Sequence, residues 1–481
     1  MFLKNSFLYA SPEILNVILR FFVGLFSAKI LGPENLGISA AIGFIFAYSV
    51  LLQFGSTDGM HLRVYDLYKR GTKYQTLKRY YVNTSFTFIN LILSFVFIIL
   101  LFYLSIFKDS SYVIWVGIIV NILISYFYQY SLYLQLIARY DYDFKTIYKI
   151  QVIDYLFKSA LTVGFVYYFE LLGLFIGLFL GNLFTVIIST KYIKYQFKWF
   201  FNKKLFKRMI VLGFPILLIG AVLTVFQTID RWFILSYFNT KSLGYFTIIF
   251  TFSSMLLVVP IKILSVVIQY FREFHAKSKD NCIIYLGMIE LMFIFTVLNG
   301  VLVLLTQEFI FYLFKYYLYK YQLSYEIVKP MLSSTYFMGL FHIISSYFVI
   351  INKKIYTIMS MIAGLLISII FNIIAVKFFG TLGSIAYATL GSSIVMVLMM
   401  FFFFYNKEYP SIVIFIKLNV LLVSFIVMGV LLNTHSFDTE IIENFYISLK
   451  TIVCILVIAG VTFMYYKNNR NVNLRKILGK S

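Results

Sequence analysis

Apolar residues run through this chain in long unbroken blocks, not at alternate positions. Blocks such as Leu91 to Phe107 and Leu171 to Ser189 rise about 1.5 Å per residue as helix, which with their flanks spans roughly 30 Å of hydrocarbon. Strands of a membrane barrel would alternate apolar and polar positions instead. Cutting the chain at charged residues and at Gly or Pro breaks gives fourteen spans. They lie near 12–31, 36–57, 81–106, 112–137, 150–169, 171–190, 209–237, 243–267, 283–305, 331–351, 355–376, 383–405, 412–432 and 446–466. The pattern predicts an all-α polytopic membrane protein of about fourteen transmembrane helices.

Composition agrees: 61% of the 481 residues are hydrophobic and 12% charged, with a mean hydropathy of +0.89. Charge then fixes direction. With the N-terminus inside, the interior segments hold 28 of the 41 basic residues, above all 59–80 and 191–208, which is the positive-inside pattern and places both termini in the cytoplasm. The first apolar stretch lacks a small-residue cleavage site and reads as a retained helix, not a signal peptide. The net charge of +22 does not imply nucleic acid, because no soluble domain offers a basic groove; interior loops of this kind meet anionic lipid headgroups. Cys282 and Cys454 form no CxxC pair, and His61, His275, His342 and His435 are scattered, so neither a disulfide framework nor a metal site is expected. There is no GxxxxGK[ST] loop and hence no visible seat for ATP. No cofactor is expected.

Three landmarks recur in order. Pro12 and Pro215 open helices 203 residues apart, Leu36-Gly37 and Leu243-Gly244 follow at 207, and Gly173…Gly181 and Gly383…Gly391 at 210. Such drift is what loop insertions leave in a tandem duplication. Six helices per copy is even, so the copies are parallel repeats, an arrangement typical of transporters. The expected organisation is an N-terminal six-helix lobe (1–200), a C-terminal six-helix lobe (201–408), and two extra helices with a basic tail (409–481). Gly173, Gly177 and Gly181 lie on one helix face, where small residues permit close packing.

The helix-1 Arg20 followed by Leu31-Gly32-Pro33-Glu34-Asn35-Leu36-Gly37, the Asp230-Arg231 followed by Leu243-Gly244-Tyr245, and Gly380-Thr381-Leu382-Gly383-Ser384-Ile385-Ala386 resemble the bacterial polysaccharide-unit exporters. These are the Wzx-type O-antigen flippases of the MOP superfamily, which also holds the MATE drug exporters and the lipid II flippase. The likeness covers roughly residues 7 to 405. It implies a MATE-like fold in the bacterial inner membrane and a cargo of saccharide linked to undecaprenyl diphosphate, such as an O-antigen or capsule repeat unit. It also implies membrane lipids, a polysaccharide polymerase and chain-length machinery as partners.

Charge within a span is costly and should face a cavity or a partner. Arg20 lies deep in helix 1, where it either holds a phosphate by paired hydrogen bonds or bridges to a neighbouring helix. Asp154 and Lys158 are spaced i, i+4 and neutralise each other, or else Lys158 meets an anionic substrate while Asp154 takes a coupling proton. Asp230 and Arg231 point about 100° apart and are expected to bond different partners, as a latch at the outer gate or as ligand contacts. Glu290 carries coupling protons or pairs with a lysine. Lys29, Lys262, Lys417 and Lys450 lie nearer helix ends and snorkel.

Three functions fit a chain of this hydropathy. Seven basic residues against four acidic ones within the spans favour a flippase for an anionic head over a MATE-like cation or drug antiporter, which would want the opposite balance. A membrane polymerase or ligase is the third, but the longest outer connection, Thr306 to Lys329, reads as an interfacial aromatic belt. The repeat favours alternating access, driven by an ion gradient or by the cargo's own gradient, over catalysis.

Overall fold

A computed structural model describes residues 2–69, 75–106, 112–140, 143–278, 281–351 and 353–404. Among them there is no strand, and eleven α-helices carry the chain. In order they are α1 (Phe2–Ser49), α2 (Ser56–Lys69), α3 (Gln75–Ile106), α4 (Tyr112–Tyr140), α5 (Phe144–Tyr192), α6 (Lys203–Tyr237), α7 (Thr240–Ser278), α8 (Asn281–Tyr316), α9 (Tyr325–Ile350), α10 (Lys354–Ile374) and α11 (Leu382–Phe404). Nine helical stretches among the described residues are long and apolar enough to cross a membrane. The expected spans at 412–432 and 446–466 lie outside the described residues.

Two of these helices are each the length of two crossings. α1 has 48 residues and α5 has 49, and each is broken once near its middle, α1 at Gly32 (φ 68°) and α5 at Glu170 (φ 49°). Each therefore joins two of the expected spans through a single residue with left-handed backbone. Glycine adopts that conformation at no steric cost; a glutamate does not.

The helices also run past the apolar blocks. Pro12 and Pro215 fall inside α1 and α6 and do not open them. The interior segment from Gly59, read as a loop, holds most of α2, a polar helix that starts after a break at Phe54 and Gly55, both with positive φ. The expected outer connection from Thr306 is shorter than its sequence suggests, because α8 continues to Tyr316 and a 3-10 turn over Tyr319–Ser324 leads into α9. Polar and aromatic residues at the ends of an apolar block do not stop a helix; they only end the apolar signal.

α10 shows why the chain suits lipid. Its buried positions are Thr357, Ser360, Met361, Gly364, Ser368 and Asn372, while Ile355, Met359, Ile362, Leu366 and Ile370 are exposed. Both sets follow helical spacing, with small and polar residues turned inward and apolar ones outward. That is the reverse of a helix in water, and it fits a hydrocarbon surround in which polar groups find partners inside the protein.

The chain divides into two compact units. The first comprises residues up to 228 together with 239–244; the second comprises 229–238 and the described residues from 245 onward. In unit 1, one cluster is built on Met60, Val82, Phe86, Tyr133 and Met209, and another on Leu31, Ile42, Val166, Leu171 and Phe175. The two Leu-Gly motifs meet in this unit. An added Cβ at Gly37 would overlap the backbone of Thr240 and come within 2.9 Å of the Gly244 nitrogen, and one at Gly244 would overlap Pro33. In unit 2, α9 is the core helix, buried along most of its length from Ile327 to Ile350.

Candidate functional site

The two legs of α5 lie antiparallel, and the glycine stripe explains how. An added Cβ at Gly173 would overlap the Phe165 carbonyl, at Gly177 it would stand 2.7 Å from the Thr162 Cα, and at Gly181 2.9 Å from Lys158 Cγ. The stripe continues to Thr185, one turn further on, whose hydroxyl donates to Asp154 Oδ1 and also reaches the Gly181 carbonyl. Asp154 pairs with Lys158 at 3.1 Å along its own leg. The carboxylate is thus held from both legs, and its side chain is 10% exposed while that of Lys158 is 25% exposed. An ammonium has three donors, and it is the more accessible partner of the pair.

Further polar groups gather around this pair. The Tyr155 hydroxyl, next to Asp154, donates to Glu13 Oε1 of α1 at 3.3 Å. Arg20, Glu13 and Asp154 all act electrostatically on the hydroxyls of Tyr155 and of Tyr128 in α4. Arg20 is exposed and forms no ion pair among the described residues. Its direction follows from helix geometry. Glu13 and Arg20 are about 20° apart around α1, whereas the exposed apolar row Ile14, Ile18, Phe22 is centred about 160° from Arg20. Arg20 therefore shares the face that meets Tyr155, opposite the apolar row.

Unit 2 contains a different polar centre. Asp230, on the part of α6 that belongs to this unit, is 4% exposed. It accepts from Asn372 Nδ2 of α10 at 2.7 Å and from Thr389 Oγ1 of α11 at 2.8 Å. Asn372 is itself tied to the Ser368 carbonyl one turn before it. Arg231 turns elsewhere, its guanidinium 4.2 Å above the Phe250 ring of α7. The two neighbours thus engage different partners, both within unit 2. Glu290 is buried on α8 of the same unit. Lys29 is exposed on α1; Lys417 and Lys450 lie outside the described residues.

The two units differ at glycines of matching spacing. Gly391 of α11 meets the Phe371 ring, at 2.7 Å from an added Cβ, where Gly181 meets Lys158. One glycine thus faces a lysine stem and the other an aromatic ring. Sequence reading missed Tyr155, Thr185, Asn372 and Thr389. Thr185 carries a visible signal as the next member of the Gly173, Gly177, Gly181 series, and Asn372 as the next after Gly364 and Ser368; Tyr155 and Thr389 carry none in so aromatic and apolar a chain.

Solved structures of like fold include the lipid II flippase MurJ in an inward closed conformation, with a TM-score of 0.72 and 15% identity over 96% of this chain and 100% of that one. They also include an inward-facing multidrug resistance MATE family transporter of the MOP superfamily, with a TM-score of 0.61 and 13% identity over 82% of this chain and 98% of that one. A MOP superfamily transporter from Pyrococcus furiosus matches with a TM-score of 0.58 and 14% identity over 83% and 95%. At such identities the likeness is one of fold. No curated protein matches by sequence. The profile of the polysaccharide biosynthesis protein family matches residues 2–275, more than half of the chain. With a helical membrane fold of the kind found in MurJ and the MATE transporters, the chain belongs to the polysaccharide biosynthesis protein family.

Proposed function

We propose that the chain carries a saccharide unit linked to undecaprenyl diphosphate from the inner to the outer leaflet of the bacterial cytoplasmic membrane. The observation that supports this reading is the polar series within the spans of unit 1, with Lys158 on Asp154, Tyr155 on Glu13, and Arg20 on the same face of α1 as Glu13. Desolvated phosphate needs such partners: guanidinium binds it through two parallel hydrogen bonds, and ammonium adds a compact charge. In this reading Arg20 and Lys158 gather the diphosphate while the polyprenyl tail stays in lipid.

Asp154 and Glu290 take up the coupling ion in the same reading. A carboxylate paired with the substrate-binding lysine changes affinity when it takes a proton, which links the cargo to an ion gradient. Asp230 and Arg231 form part of the outer gate as two six-helix lobes, 1–200 and 201–408, alternate their access, followed by the two further helices of 409–481. Both termini are cytoplasmic, and membrane lipids, a polymerase and chain-length machinery for O-antigen, capsule or related polymers are the partners. The family's name supports this over a drug antiporter, whose cationic cargo Arg20 and Lys158 would repel.

Deleting the protein tests the reading. Undecaprenyl-linked oligosaccharide is expected to accumulate on the cytoplasmic leaflet, with surface polysaccharide lost. Unchanged surface polysaccharide together with altered drug sensitivity would favour the antiporter.

A further inference from the structure

Two clefts of about 380 and 460 Å³ open on unit 1 where α3 begins and α5 ends. Arg79 and Lys194 line both; Lys78 adds to the first and Lys198 to the second. Among the described lining residues the one acid is Asp143, whose Oδ1 already accepts from the Thr146 amide at 3.1 Å as the N-cap of α5. Arg79, Lys194 and Lys198 are exposed and form no ion pair among the described residues.

The connecting segment 193–202 is not helical and is fastened along α3. The Lys198 amide donates to Asn83 Oδ1 at 3.4 Å, the Phe200 amide to Thr87 Oγ1 at 3.1 Å, and Phe200 stacks on Tyr80 with 4.8 Å between ring centres. Around the clefts Tyr80, Tyr192 and Trp199 are exposed. Amphipathic rings at the end of apolar helices mark headgroup depth. Cations elsewhere on an interior surface need no ligand, but here they converge from two segments on a concave space beside exposed aromatic rings of the kind found at headgroup depth.

We propose that these clefts seat the phosphate of an anionic phospholipid headgroup, held between Arg79 on α3 and Lys194 and Lys198 on the connecting segment. The proposal is independent of the cargo. An occupied cleft adds a bridge between α3 and the segment that leads into α6, beside the Asn83 and Thr87 hydrogen bonds. The charge balance favours a lipid with a net negative head over a zwitterionic one.

The test uses purified, delipidated full-length protein titrated with phosphatidylglycerol or phosphatidylcholine, with bound lipid counted by native mass spectrometry. Phosphatidylglycerol is expected to bind about fivefold more tightly than phosphatidylcholine, and the Lys194→Gln, Lys198→Gln double variant to lose about fivefold in that affinity. Lys203→Gln with Lys204→Gln, the same charge change at exposed positions outside the clefts, is expected to stay within about twofold. All four substituted side chains are surface-exposed, and equal melting temperatures establish that the variants are folded. Equal losses from both double variants, or equal binding of the two lipids, overturns the proposal. So does displacement of the lipid by soluble glycerol phosphate at matching concentration, which makes the ligand a free phosphate.

Discussion

Gly181 and Lys158 pack directly against each other, so that even a methyl group at Gly181 would stand 2.9 Å from Lys158 Cγ and 3.1 Å from its Cα. The bare backbone of one leg of α5 makes the room in which the other leg's lysine turns toward Asp154. Gly173 makes the same kind of room at the Phe165 carbonyl, where the obstacle is rigid backbone.

Gly173→Ala and Gly181→Ala are therefore expected to lower stability by about 1–3 kcal/mol, as overpacking does. Gly43→Ala, with nothing within 4 Å of the new carbon, is expected to be neutral or slightly stabilising. Thermal unfolding in detergent reads all three. A Gly173→Ala protein that melts with the wild type would refute the antiparallel packing of the two legs.

The Asp154–Lys158 pair invites a double-mutant cycle. Lys158→Met leaves the covered carboxylate without its cation and is expected to cost about 3 kcal/mol, while adding Asp154→Asn restores most of it. The double variant should fold yet fail to restore surface polysaccharide. Additive losses of stability would mean that the pair is not coupled.

Asp230→Ala takes the acceptor away from the buried Asn372 Nδ2 and the half-buried Thr389 Oγ1, leaving each only its bond to a carbonyl of its own helix, Ser368 and Ile385. The expected loss is about 3 kcal/mol, with Asp230→Asn milder because one acceptor oxygen survives. The midpoint of chemical or thermal unfolding measures this, and a variant as stable as the wild type would contradict the three-helix junction.

Arg20→Ala is expected to reduce surface polysaccharide about tenfold at equal protein level, and Arg20→Lys to retain part of it, because lysine keeps the charge and loses the paired geometry. Flow cytometry with a polysaccharide-specific antibody or lectin provides the readout. Full activity of Arg20→Ala would remove the arginine from the proposed diphosphate site.

Glu170→Gly is expected to stabilise the protein by about 1 kcal/mol, since the exposed glutamate holds a left-handed conformation that glycine adopts freely. A rise in melting temperature is the outcome to look for. A fall would mean that the side chain has a compensating role.

Much of this architecture is legible in the residues, for physical reasons. Apolar blocks reveal crossings because hydrocarbon tolerates little else, and the four-residue spacing of Gly173, Gly177 and Gly181 reveals a packing face whatever packs there. The i, i+4 spacing of Asp154 and Lys158 makes their contact a matter of helix geometry. What stays hidden is register between helices. Nothing in the Glu170 region announces a reversal within a single residue, and nothing pairs Glu13 with Tyr155 across 142 positions or Asp230 with Thr389 across 159. The polar helix α2 is hidden for the opposite reason, because its sequence carries no apolar block to mark it.

The contrast between Gly181 with Lys158 and Gly391 with Phe371 has an evolutionary consequence. On the tandem duplication expected from the sequence, a Phe371 that only has to fit leaves the Gly181 groove free to vary without risking a shared scaffold. On the proposed flippase reading, changes of cargo are then expected to concentrate in the first half, making that half the place to re-engineer selectivity.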